Sequence, residues 1–146
     1  MLQFFVPGDP KPQGSKRAFV VAGKARLCEA NAGHRPWRDS VTYAAQAEMA
    51  RQGIQGTAFG PISLTVSFYH RRPKAHFDSK GHLKSTAPVL ISKKHADLDK
   101  LCRAVCDSLT DAGVWLDDSQ CAVLHARNCY ALTGGPGAEI ELDRAG

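Results

Sequence analysis

At 146 residues, with 43% apolar and 23% charged residues, the chain has the size and composition of one ordinary globular domain that can bury a core unaided. No apolar run approaches the length of a membrane span, and the broken opening stretch MLQFFVPGDP, without basic residues ahead of it, reads as a strand rather than a signal peptide. The net charge of +5 and pI of about 9.1 suit an anionic partner without naming one.

In chain order, residues 2–6 (LQFFV) read as a short strand stopped by Pro7 and Gly8. PGDPKPQGSKRAF follows as a loop, because Pro and Gly deny it a ladder or a helix, and it carries Lys11, Lys16 and Arg17. FVVAGKARLC suggests a small hairpin turning at Ala22-Gly23-Lys24. A helix is predicted from about Pro36 to Gln52, with Trp37, Val41, Ala45 and Met49 as its buried stripe and Gly53 as its stop. ISLTVSF, residues 62–68, alternates strictly and is the clearest strand.

Residues 71–96 show little periodicity and a strong basic bias: Arg71, Arg72, Lys74, Lys80, Lys84, Lys93 and Lys94 against the single acid Asp78. Irregular segments of this length in compact domains are usually functional or disordered. A second helix is predicted from about Leu98 to Ala112, with Leu98, Leu101, Val105 and Leu109 buried and Gly113 as its stop. VWL reads as an extended return. CAVLHARNCY and AEIEL read as a closing pair of strands, with TGGPG (133–137) as a hairpin turn between them. The order implies a single α+β domain: a small mixed sheet with two main helices packed on it.

The five cysteines fall in no disulfide framework, which favours reduced thiols and a cytosolic setting. Cys102 and Cys106 lie one helical turn apart, but no C-x-x-C or His pair at ligand spacing accompanies them.

The second helix is bracketed by carboxylates: Asp97 and Asp99 before it, Asp117 and Asp118 after the return. Each has an ordinary reading. Asp99 suits an N-cap, Asp97 a loop position favoured by the helix dipole, and Asp117 and Asp118 a polar turn. The helix rises roughly 20 Å at about 1.5 Å per residue, and six extended residues cover about the same distance. An antiparallel return would therefore bring the two acid pairs together. Gathered carboxylates repel unless a cation joins them, and oxygen-only donors suit Mg²⁺ or Mn²⁺. Beside a basic loop, such a site suits phosphodiester chemistry, with Lys100 or Arg103 in reach of a phosphate oxygen. Arg103 has an equally ordinary role in an ion pair with Asp99 or Asp107.

DLDKLCRAVCDSLTDAGVWLDDSQ, residues 97–120, resembles the signature of the RusA family of Holliday junction resolvases, found in bacteria and phages: Asp-x-Asp-Asn, a Lys four residues after the second Asp, Asp-Ala-Leu, then Trp-x-Asp-Asp-x-Gln. FVPGDPKPQGSKRAF is similar to the family's Pro-Gly opening with a basic cluster behind it. The resemblance implies that Asp97, Asp99 and Asp118 bind a catalytic Mg²⁺, for which Mn²⁺ could substitute, with Asp117 in support. It implies a homodimer that nicks four-way DNA junctions symmetrically, in the cytoplasm of a bacterium or phage-infected cell. Lys11, Lys16, Arg17, Arg71, Arg72, Lys74, Lys93 and Lys94 are the expected DNA contacts. The chain departs from the pattern twice: the family's Asn is Lys100 and its Lys is Arg103. Arg keeps its charge but will not donate a proton near neutral pH. Either charge suffices there, or Lys100 has taken over. A nuclease for flaps or plain duplex, and a DNA-binding module whose acids are only caps and turns, are the alternatives.

Overall fold

A computed structural model describes residues 1–12, 16–21, 24–29, 34–92, 97–132 and 134–146; for 16–21, 24–29 and residue 34 the backbone alone is described. Six strands and two α-helices follow in the order β1 (Leu2–Pro7), β2 (Lys16–Val21), β3 (Lys24–Glu29), α1 (His34–Gln52), β4 (Ile62–His70), α2 (Leu98–Asp111), β5 (Cys121–Tyr130) and β6 (Gly137–Arg144). Short 3₁₀ turns lie at Lys74–His76 and Asp118–Gln120. The class is α+β, as the element pattern predicts. β2 and β3 pair antiparallel as a separate ribbon, and its turn at 22–23 lies outside the described residues.

The main sheet has the order β1-β6-β4-β5. Strict alternation in β4 puts Ile62, Leu64, Val66 and Phe68 on one face, all fully buried, and Ala138, Ile140 and Leu142 of β6 join them. The helices cover this face with the stripes their sequences carry. Trp37, Val41 and Ala45 of α1 are buried with Leu101, Val105 and Leu109 of α2, while Met49 and Leu98 pack at the margin. Burial of side chains this size contributes about 1.5–3 kcal/mol each, which explains why helices of modest intrinsic propensity are held here.

The closing strands correct one expectation. β5 and β6 do not form a hairpin; β4 lies between them, parallel to β5 and antiparallel to β6. The physical reason is the crossover. The basic segment and α2 return the chain to the same end of the sheet from which β4 started, so β5 must run parallel to β4. On leaving β5 the chain passes the end of β4, where the Ala131 N–H donates to the His70 carbonyl at 2.8 Å, and β6 enters on β4's other side. Residues 134–137 therefore belong to an over-the-end connection and not to a tight turn. Gly137 is needed where it lands: a Cβ there would stand 2.3 Å from the Phe5 ring and 2.5 Å from the Val6 carbonyl oxygen.

The basic segment also has more order than its sequence suggests. Across residues 71–92, Asp78 accepts from the N–H groups of Lys80 and His82, and Phe77 bridges Leu83. Ile91 donates to the Asn128 carbonyl and Tyr130 to the Val89 carbonyl, so this stretch pairs with the end of β5. These side-chain caps and single bridges carry no hydrophobic period, which is why period counting passes over them.

Candidate active site

Leu101, Cys102, Ala104, Val105 and Leu109 carry the core packing of α2, and the same periodicity throws the polar residues Asp99, Arg103 and Asp107 to the other face. Asp97 occupies the N-cap position with extended backbone (φ −65°, ψ 110°), yet its side chain makes no cap hydrogen bond. It pairs instead with Lys100, Nζ to Oδ2 at 3.4 Å. Asp99 lies exposed in the first turn, and among the described residues no hydrogen bond or ion pair joins its carboxylate. The capping reading thus accounts for neither side chain. Arg103 is exposed, and no ion pair joins it to Asp99 or Asp107 among the described residues.

Gly113, at φ 77°, ends α2 and turns the chain sharply, after which Val114 and Trp115 are buried. The indole Nε1 of Trp115 donates to Thr110 Oγ1 at 2.8 Å, and Trp115 bridges Ala58 in parallel. Gln120 then fixes the acid turn. Its Oε1 accepts from the N–H groups of Leu116 (2.8 Å) and Asp117 (3.3 Å), and its Nε2 donates to the carbonyls of Ala58 (3.0 Å) and Gly60 (3.1 Å). Asp117 completes a capping box by accepting from Ser119 N–H at 2.9 Å. Asp117 is therefore employed structurally, while Asp118 is left exposed beside it.

A cavity of about 250 Å³ opens at this turn, lined by Arg38, Asp107, Thr110, Asp111, Leu116, Asp117 and Asp118. Arg38 reaches across from α1 to Asp111, Nη2 to Oδ2 at 2.5 Å, and so fastens the two helices at the cavity's edge. The sequence gives no signal for Arg38, because its role depends on how α1 lies against α2. Asp107 faces Asp118 closely enough for its charge to matter.

The carboxyls of the turn differ sharply. Asp118 is held above the usual aspartate range, first by its hydrogen bond with Asp117, then by burial and by the charges of Asp117 and Asp107. Asp117 is held below it, first by the Ser119 N–H and then by the same bond to Asp118. Negative charge is crowded here, and a cation would relieve it. Three thiols, Cys102, Cys106 and Cys121, stand near enough to these acids to feel their charge. Burial keeps them protonated, pushing Cys102 up to about 11 and Cys106 up to about 12; Asp99 acts on Cys102, and Asp118 on Cys106 and Cys121.

The carboxylates nominated by sequence thus fall at two places, the start of α2 and the turn that follows it. Asp97 and Asp99 stand at the first turn of α2, and Asp118 lines the cavity at the acid turn together with Asp107 and Asp117. Among the described residues, no three His, Cys, Asp or Glu side chains form a group that could hold a metal ion. The donors are hard carboxylate oxygens of the kind Mg²⁺ takes, and the charge crowded at the adjoining Asp117 and Asp118 is of the kind a divalent cation would relieve.

The candidate DNA contacts divide. Lys74 is exposed on the 3₁₀ turn, Lys11 is half-buried beside Trp37, and Arg71 pairs with Asp9 at 3.0 Å. Arg72 is a staple of the basic segment: it donates to the carbonyls of Ala131 and Pro88, both at 2.8 Å, and lies over the Tyr130 ring. Lys16 and Arg17 sit on β2, opposite Glu29 and Cys28, with their side chains undescribed; Lys93 and Lys94 lie outside the described residues. Among the described residues, no helix is long and apolar enough to cross a membrane.

No curated protein matches the chain. The family model described as endodeoxyribonuclease RusA matches residues 7–143, from the end of β1 to the last turn of β6 and so across both acid pairs. With nearly the whole chain matched, the protein belongs to the RusA endodeoxyribonuclease family.

Proposed function

We propose that this endodeoxyribonuclease is Mg²⁺-dependent and resolves four-way DNA junctions by paired symmetric nicks, with Mn²⁺ able to substitute. Asp97 and Asp99 from the start of α2 and Asp118 from the acid turn would converge on the ion only as it binds, and the bound ion supplies an activated water and charge stabilisation at the scissile phosphate. The observation that supports this reading is that local capping does not use these acids: Asp97 holds an N-cap position without capping, Asp99 is exposed in the first turn, and Asp118 is exposed beside the capping Asp117. Arg103, exposed one turn beyond Asp99, holds a fixed positive charge where a non-bridging phosphate oxygen would lie. Lys100, half-buried and paired with Asp97, is the other cation of that turn and the one able to give up a proton. Lys11, Lys74 and Arg71, with Lys16, Arg17, Lys93 and Lys94, hold the arms, while Arg72 shapes the segment that presents them. Paired cuts in a two-fold substrate call for a homodimer with two sites. The compartment is the cytoplasm of a bacterium or phage-infected cell.

The test is a synthetic four-way junction incubated with the wild type and with Asp97→Asn, with Mg²⁺ or with chelator. Symmetric nicks that the variant and the chelator abolish are expected. Equal cutting of linear duplex would give the substrate range to a different nuclease of this family. Tight binding without cleavage under any divalent metal would leave a DNA-binding module.

A further inference from the structure

Beside the acid turn stand two large apolar side chains that the core does not use. Phe59 is 77% exposed and Leu116 is 64% exposed. Their placement follows from the parallel bridge between Ala58 and Trp115, which is closed by the Ala58 N–H donating to the Val114 carbonyl at 2.9 Å. Trp115 points inward and is fully buried, so alternation throws the next residue of each segment, Leu116 and Phe59, outward on the same side. Paired extended segments lie about 4.8 Å apart, which makes the two side chains neighbours.

The pair is also fixed in place. The Gln120 amide bonds to both neighbours of Phe59, at the Ala58 and Gly60 carbonyls, and to the N–H groups of Leu116 and Asp117. One side chain therefore ties the loop bearing Phe59, the turn bearing Leu116 and the acid pair into one unit. Leu116 is itself a wall of the cavity that Asp107, Asp117 and Asp118 line. The apolar pair is thus continuous with the acidic site.

Resting on the reading that this site cuts DNA, we propose that Phe59 and Leu116 form an apolar step that receives the face of a nucleobase adjoining the scissile phosphate. Consecutive Cα atoms are about 3.8 Å apart, so a phosphate at Asp118 leaves its neighbouring base within reach of Leu116, two residues away. Apolar wedges of this kind unstack a base step, and stacking on an aromatic ring tolerates any base. A branch point, where stacking is already interrupted, offers such a base at the lowest cost. The step selects for branched or distorted DNA without reading sequence.

The experiment places 2-aminopurine on either side of the cut phosphate in a synthetic four-way junction and follows its fluorescence on binding, with chelator present to prevent cleavage. Wild type should raise the signal as the base leaves its stack. Phe59→Ala and Leu116→Ala should lose most of that rise and cut at least about fivefold more slowly in Mg²⁺, with Phe59→Trp restoring both. Both residues are exposed, so thermal melting should be unchanged. Wild-type fluorescence and cutting in both alanine variants would overturn the proposal, as would a lower sedimentation mass in Phe59→Ala with the fluorescence rise intact, which would assign the step to a second copy of the chain. If the wild type neither binds nor cuts junctions, the parent reading falls first; if it does both and only the alanine variants behave normally, the step alone is refuted.

Discussion

The side-chain amide of Gln120 donates to the main-chain carbonyl of Ala58 at 3.0 Å, across 62 positions of sequence. With its three other bonds it holds the acid turn against the loop before β4. Gln120→Glu keeps the acceptor for Leu116 and Asp117 but removes both donors and adds a charge next to Asp117. The variant should lose roughly 1–3 kcal/mol of stability in urea unfolding. Its cleavage should fall further than that loss explains at temperatures where it remains folded. Full activity on a destabilised scaffold would reduce Gln120 to a structural role.

The acids that capping does not use make a separate prediction. Asp97→Asn, Asp99→Asn and Asp118→Asn should each lower the cleavage rate by roughly a thousandfold or more, since metal-derived stabilisation is worth several kcal/mol. Junction binding should persist. Asp118→Asn should melt no lower than the wild type and is expected to melt higher, because its amide can still donate to Asp117 while the charge opposed by Asp117 and Asp107 is gone. A drop in melting temperature would mean that the hydrogen bond between Asp118 and Asp117 outweighs that repulsion.

Much of this was legible in the chain and some of it was not, for identifiable reasons. Helices α1 and α2 and strand β4 follow from the 3.6- and 2-residue periods of residues such as Val41, Val105 and Leu64, because one-sided burial imposes those periods. The acids are legible as a motif, while the path of the return is not: Gly113 and the burial of Trp115 set it. Sheet order is not legible at β5 and β6, since adjacency in sequence favours a hairpin, whereas β6 pairs with the distant strands β4 and β1. Arg38, Gln120's bond to Ala58 and the Arg72 staple are long-range polar contacts that no local pattern encodes.

The two departures from the family pattern can be separated by charge and proton. Arg103→Met should cut much more slowly, and Arg103→Lys should recover most of the rate if a positive charge is all the position supplies. Lys100→Met should then matter mainly through its ion pair with Asp97. If Lys100 is instead the proton donor to the leaving oxygen, Lys100→Met should be the more damaging change, and the alkaline fall in the wild-type pH–rate profile should disappear in Lys100→Arg. Equal rates in wild type, Arg103→Met and Lys100→Met would remove both from the chemistry.

The last prediction concerns pH and stability at the far end of β4. His70 Nε2 lies 2.6 Å from Asn128 Oδ1, joining β4 to β5 beneath the basic segment. Burial lowers the His70 pKa from its ordinary value; the Asn128 bond and the charge of Asp9 oppose that shift, and Lys11 adds to it. The folded protein therefore binds a proton at His70 less readily than the unfolded chain does. Stability from this group is fully present above the ordinary histidine range and is lost as pH falls through that range toward the lowered folded value. Urea midpoints measured from pH 7.5 down to 5.5 should decline, and His70→Gln, which keeps a side chain able to meet Asn128, should decline less over the same interval. Identical pH slopes in the two proteins would show that His70 does not govern this loss.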